Sequence, residues 1–240
     1  MTGIIVVNQS SSILTVDIVN SFTTKYDSVI FVVGNSDVIN ESITPNIIIK
    51  KIISYNRSSL FTRVLTWVIS AIEIYWILKK YPEYEVFYIT NPPISYFFAL
   101  HLKQPFSVLI YDIYPDALKS ISITEDNFLY KFWSKMNKKI FLQAKCIFTL
   151  SDGMKDCLSQ YIDASKIKVV PIWSHLDQFK PILKSNNLFV RKHNLEGKFV
   201  IMYSGNIGYT HNVSIILEMA KRLILQSDII FLNFSLKIKQ

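Results

Sequence analysis

Short β-branched runs alternate with longer stretches of helical period along the first two-thirds of the chain. Ile4–Val7, Val29–Val33, Ile47–Ile53, Val86–Ile89, Val108–Asp112, Cys146–Leu150 and Ile167–Pro171 are compact apolar runs of strand length. Between them lie helical patterns. Ile13–Phe22 sets Leu14, Ile18 and Phe22 four residues apart, and Leu60–Lys80 ends before Pro82, as a helix should. Ile94–Leu102 and Asn127–Leu142 are two more, and Ser151 is placed to cap a helix running to about Tyr161. Strand, helix, strand in repetition predicts a parallel sheet covered on both faces.

From residue 172 to 197 the periodicity breaks into polar, loop-like segments such as Lys184-Ser185-Asn186-Asn187. Phe199–Tyr203, a helix from about Asn212 to Gln226, and Ile229–Leu232 then supply one further β-α-β unit. The expected organisation is therefore a Rossmann-like domain over 1–172, a linker over 173–197, and the opening of a second such domain over 198–240. The fold class is α/β.

Leu60–Leu78 is long and apolar enough to be weighed as a membrane span. Arg63 near its start and Glu73 well inside it argue instead for a buried core helix. The first eight residues carry no basic flank or small-residue cleavage site, so no leader is expected and a cytoplasmic location is.

Composition narrows the picture. Half of the 240 residues are hydrophobic and 18% are charged, which excludes disorder, and two cysteines exclude a disulfide scaffold. Cys146, Cys157 and the four histidines show no metal-ligand spacing, so no metal is expected. No bound organic cofactor is expected either. The formal charge of +8 favours anionic partners. Nucleic acid is not expected among them, because the aromatic residues fall mostly at apolar periodic positions rather than interleaved with Lys and Arg. The helix Asn127–Leu142 offers a basic surface for a different anionic partner. Leu129, Phe132, Met136 and Ile140 make an apolar stripe, and Lys131, Lys135, Lys138 and Lys139 cluster on another face. Such a helix either lies on an anionic membrane or packs on a core with a solvated lysine face.

Ligands of open α/β sheets bind outside the carboxyl ends of the strands. Four loops belong there. In Asn8-Gln9-Ser10-Ser11-Ser12, the hydroxyls of Ser10 and Ser12 could bond a sugar or cap the next helix. In Thr90-Asn91-Pro92-Pro93, two prolines fix an extended turn that presents Asn91. In Tyr111–Asp116, Asp112 and Asp116 lie four residues apart beside two tyrosines. Such carboxylates can orient acceptor hydroxyls, and one can act as a base. Asp116 could equally serve as a charge at a helix start. In Tyr203–His211, Gly205 and Gly208 let backbone N–H groups approach an anion at a helix N-terminus, with Asn206 and His211 beside them.

Taken in order, Asn91-Pro92-Pro93, Tyr111–Asp116, Ser151 with Met154, the stretch Pro171–Pro181 with Trp173, Asp177 and Phe179, and Tyr203–Gly208 resemble bacterial glycosyltransferases of family 4. These are GT-B enzymes that build surface polysaccharides, and the resemblance covers almost the whole chain. It implies retaining transfer of a sugar from a nucleotide-diphosphate donor to a saccharide acceptor, often lipid-linked, at the inner face of the cytoplasmic membrane. Carried over, it implies Asn91, Asp112 and Asp116 on the acceptor side of the cleft and Gly205, Asn206 and Gly208 along the donor diphosphate. Together with the loop readings, the expected catalytic residues are Asp112 and Asp116, the acceptor-binding ones Ser10, Ser12 and Asn91, and the donor-binding ones Gly205, Asn206, Gly208 and His211. The loop after the first strand lacks the family's glycines. The family's second domain also continues much further and carries a pair of glutamates, so the resemblance implies a truncated second domain. The chain alone is then expected to have little or no turnover, or to bind acceptor or membrane only.

Overall fold

The computed structural model describes residues 2–35, 43–56, 58–121, 123–172, 180–205 and 213–234. The chain divides into two compact units, Met1–Lys119 with Ile123–Ser174, and His175–Gln240 with Ser120–Ser122.

The first unit is built on a parallel sheet of seven strands: β1 (Gly3–Ser10), β2 (Ser28–Asn35), β3 (Ile48–Lys51), β4 (Glu85–Ile89), β5 (Phe106–Ile110), β6 (Cys146–Thr149) and β7 (Ile167–Val169). Their spatial order is β3-β2-β1-β4-β5-β6-β7. The chain moves outward from β1 to β3, crosses back to β4, and moves the other way. The reversal between β1 and β4 leaves a crevice at their carboxyl ends, where such folds bind ligands.

The connecting helices are α1 (Ile13–Phe22), α2 (Leu60–Leu78), α3 (Ala99–Leu102), α4 (Phe128–Gln143) and α5 (Asp152–Leu158). Local sequence starts the longer ones. Ser12 and Ser59 form capping boxes with Thr15 and Thr62, and Asn127 and Ser151 accept from Leu129 N–H and Met154 N–H at 2.8 and 3.2 Å.

Alternate residues of the strands enter two cores. Ile5, Val7, Ile30, Val32, Tyr88, Val108 and Ile110 pack against Ile74 and Leu78 of α2 and Ile140 and Phe141 of α4. Ile4, Val6, Phe31, Val33, Ile89 and Leu109 pack on the other face with Ile18 and Val19 of α1. This double burial explains why the strands read as unbroken apolar runs. Beside α1 the second face opens into a groove of about 290 Å³, walled by Ile18, Phe22, Phe87, Leu109 and Phe148.

Two expectations about helices are corrected. The first concerns α2, which is not a buried helix. Thr66, Trp67, Ser70, Ala71, Ile74 and Leu78 face inward, yet Leu60, Phe61, Val64, Leu65, Val68, Ile72 and Trp76 are exposed. Every exposed position of this helix carries an apolar side chain. Glu73 is spent on structure: its Oε2 accepts from Ile53 N–H at 2.8 Å. The second concerns α4, whose core face is Tyr130, Trp133, Asn137, Ile140 and Phe141. Leu129 and Phe132 of the expected stripe are 47% and 48% exposed instead. The polar members of the true core face are held by hydrogen bonds. Tyr130 donates to Asp116 at 2.7 Å, and Asn137 Nδ2 donates to the Tyr114 carbonyl at 2.6 Å.

The second unit pairs β8 (Phe199–Ser204) with β9 (Ile229–Phe234) in parallel, linked through α7 (Val213–Arg222). Part of the segment expected as linker is helical: Lys184–Asn186 is a 3-10 turn and α6 (Leu188–Lys192) is a short helix capped by Asn187. Val190 and Leu195 are buried, whereas Phe199, Met202, Ile215, Leu217 and Leu225 are exposed.

Candidate functional site

The carboxyl ends of β1 and β4 are tied together by backbone. Gln9 N–H donates to the Asn91 carbonyl at 2.5 Å. Gln9 itself is fully buried, and its Nε2 donates to the carbonyls of Ile53 and Thr66 at 3.1 and 3.0 Å. One amide thus joins the end of β1, the segment after β3 and the start of α2. Asn8 is held as firmly: its Nδ2 donates to Thr15 Oγ1 at 3.0 Å, and its Oδ1 accepts from Ser10 N–H at 3.1 Å. Gly34 is forced by the same close packing. A Cβ there would stand 2.5 Å from the Ile53 carbonyl oxygen and 2.7 Å from that of Gln9.

On this frame Ser10 and Asn91 are half-buried at the strand ends. The bond Asn91–Pro92 is cis, as is Tyr114–Pro115. Ser12 caps α1, its Oγ accepting from Thr15 N–H at 3.4 Å. Of the two roles open to Ser12, the structure displays the cap.

The two carboxylates after β5 differ completely. Asp112 is exposed at the strand end and has no hydrogen-bond or ion-pair partner among the described residues. Asp116 is enclosed. It accepts from Tyr130 at 2.7 Å, Tyr161 at 2.5 Å and Gln160 at 3.3 Å, and pairs with Lys119 at 3.0 Å. Burial opposes its ionisation, but the hydrogen bonds from Tyr130, Tyr161 and Lys119 outweigh burial and hold its carboxyl below the usual range. A carboxylate so occupied is a poor base. In the structure Asp116 clamps the segment after β5 to α4 and to Tyr161.

Sequence reasoning missed an aromatic wall at this edge. Tyr55 stacks on Trp67, with ring centres 6.0 Å apart, and Tyr114 meets Trp67 edge-on at 5.7 Å and stacks on Trp133 at 5.4 Å. Burial, Asp112 and Tyr55 push the Tyr114 phenol up to about 12, while Arg63 pulls the other way. Arg63 and Asp112 therefore both lie within electrostatic reach of Tyr114. Three buried polar atoms here, Arg63 Nε, Trp67 Nε1 and Gln9 Oε1, have no partner among the described residues. An exposed carboxylate, a guanidinium and a cluster of aromatic rings suit a polyhydroxylated ligand bearing negative charge. The sequence signal was present in the spacing of Arg63 and Trp67, four residues apart on α2, but in the sequence Arg63 stands out only as a charge against a membrane span.

In the second unit Gly205 follows β8 at φ 153°, a conformation open to glycine, and a Cβ there would meet nothing within 4 Å. Asn206, Gly208 and His211 lie outside the described residues, as do Trp173, Asp177 and Phe179. Among the described residues, no group of three or more His, Cys, Asp and Glu converges.

No family model matches the chain, and no curated protein matches it. Solved structures do. HepE from Anabaena, in complex with UDP and glucose, superposes with a TM-score of 0.60 at 10% identity, over 98% of this chain and 70% of its own. Sucrose-phosphate synthase from Thermosynechococcus elongatus gives 0.56 at 11% identity, covering 98% and 71%. A UGT from Medicago truncatula complexed with UDP-glucose gives 0.56 at 10%, covering 98% and 67%. At these identities the likeness is one of fold. The chain has the Rossmann-like α/β fold of GT-B type found in glycosyltransferases that use nucleotide sugars.

Proposed function

We propose that the chain is a glycosyltransferase of the family 4 kind. It would move a sugar from a nucleotide-diphosphate donor to a lipid-linked saccharide acceptor in surface polysaccharide synthesis, with retention at the anomeric carbon, at the cytoplasmic side of the membrane. The observation that supports this best is the meeting of Ser10, Asn91 and the unpartnered Asp112 along the strand ends of a sheet that reverses between β1 and β4.

In this reading Ser10 and Asn91 hold acceptor hydroxyls. The acceptor oxygen bonds to the anomeric carbon on the same face from which the diphosphate departs, so configuration is retained, and Asp112 accepts the hydroxyl proton. The bond from that carbon to the donor phosphate breaks, and the nucleotide diphosphate leaves. Gly205, with Asn206, Gly208 and His211, stabilises the charge developing on that diphosphate. Ser12, engaged as a cap, and Asp116, engaged as a clamp, take no part.

Calorimetric titration with UDP and GDP tests the donor half of this reading. One of the two is expected to bind in the micromolar range, and Gly205→Val to abolish the heat. Failure of both nucleotides to bind the intact chain rejects it.

The open apolar faces of β8 and α7 favour a second reading, in which the chain binds acceptor or membrane without turnover. Sugar transfer by residues 1–240 is accordingly expected to be low. Acceptor binding that depends on Asp112 while UDP and GDP stay silent would select this second reading.

A further inference from the structure

Among the described residues of the first unit, the outer side of α2 carries the longest run of exposed apolar side chains. Phe61, Leu65, Val68, Ile72 and Trp76 run along one exposed face, and no polar residue interrupts the exposed positions. A surface helix of a soluble domain presents charged residues there, and a contiguous apolar patch of this kind marks an interaction site. The helix does not span a membrane, because its other face is committed to the sheet through Ala71, Ile74 and Leu78.

Three further observations indicate what covers the patch. Lys79, at the end of α2, lies 5.1 Å from the Trp76 ring centre and 5.7 Å from that of Tyr75, so that Trp, Tyr and Lys sit together where the apolar face stops. This grouping suits the headgroup layer of a bilayer. Next, α4 packs on the same face of the sheet as α2, and it exposes Phe128 and Phe132, stacked at 6.4 Å, beside Lys135, Lys138 and Lys139. Those three lysines have no ion-pair partner among the described residues; Lys131 has Asp126 at 3.5 Å. Finally, a second copy docking face to face would bring like charges together, whereas an anionic surface complements them.

We propose that the first unit docks on an anionic lipid bilayer through the outer face of α2. That face would lie flat in the interface, with the lysines of α4 and Lys79 meeting lipid headgroups. The start of α2, carrying Arg63 and Trp67, is joined through Gln9 to the strand ends that hold the candidate acceptor site. Docked this way, the site stands at the membrane surface. The inference rests on the glycosyltransferase reading solely for the idea that the acceptor is lipid-linked; the surface itself does not depend on it.

The test is co-sedimentation of the full chain with vesicles of phosphatidylcholine alone and of phosphatidylcholine with phosphatidylglycerol. Binding is expected to need the anionic lipid. The triple variant Leu65→Gln/Val68→Gln/Ile72→Gln changes exposed positions, so its thermal unfolding should match the parent while its vesicle affinity falls about tenfold or more. Lipids brominated near the headgroup should quench tryptophan emission in the parent and less in Trp76→Phe. Equal binding by parent and triple variant overturns the proposal. So does absence of binding, and so does self-association in sedimentation velocity that the triple variant abolishes, since a second copy would then be the occupant. UDP titration without vesicles keeps the readings apart: UDP binding with no vesicle binding defeats the docking surface alone, and the reverse defeats the donor reading alone.

Discussion

The two ends of the segment after β5 carry the same functional group with opposite fates. Asp112 stands in solvent with no partner among the described residues, whereas Asp116 receives hydrogen bonds from Tyr130, Tyr161 and Gln160 and a salt bridge from Lys119. A carboxylate can be available to a ligand or be part of the scaffold; the lone pairs that do one job are taken from the other. Three residues of chain separate a free acceptor from a saturated one, and the saturated one holds the loop that presents the free one.

This contrast can be broken at either end. The largest effect is expected from Asp112→Asn, which should lower sugar transfer by about a hundredfold or more while leaving thermal unfolding unchanged. If the chain only binds acceptor, the same substitution should appear as lost acceptor binding. A fall in melting temperature would show that Asp112 is structural after all. Asp116→Ala should do the reverse. It strands two buried phenols and is expected to cost about 3 kcal/mol in urea unfolding. A loss of activity without that loss of stability would restore Asp116 to catalysis.

A smaller change sharpens the same point. Tyr161→Phe removes one of the donors to Asp116 and should cost about 1 kcal/mol, with nucleotide titration unaffected. The smallest effect is one of pH. Because the Asp116 carboxyl is held below its usual range, its contribution is complete above the ordinary carboxylate pKa of about 3.9 and is lost as pH falls through the native value. Melting temperature followed downward through this window should drop in the parent and drop less steeply in Asp116→Asn. Parallel curves would mean that the hydrogen bonds at Asp116 do not favour its ionised form.

The sheet was legible because parallel strands buried on both faces leave apolar runs that no other element imitates at that length. The positions of Asn91 and Asp112 just beyond strand ends were legible too. The candidate site was illegible where it depended on partners far along the chain. Tyr130 and Tyr161 lie 14 and 45 residues beyond Asp116, and no local pattern announces that all three meet. The face of α4 was misread for a related reason. Periodicity counts Asn137 as polar and Leu129 as apolar, but Asn137 is buried because it bonds the Tyr114 carbonyl and accepts from the Tyr96 hydroxyl at 3.2 Å. In α2 the opposite happened: a mostly apolar helix with Arg63 and Glu73 inside it invites the inference of burial, and the pattern cannot say which side the sheet takes.

Gly34 has a consequence for anyone redesigning this chain. Backbone atoms of Ile53 and Gln9 occupy the space that any side chain would need, and neither can swing aside as a flexible side chain could. A saturation library at position 34 should therefore return the parent residue from any selection for folded protein. The positions along the outer face of α2 should accept almost the whole alphabet under that same selection and lose this freedom only when the selection demands function.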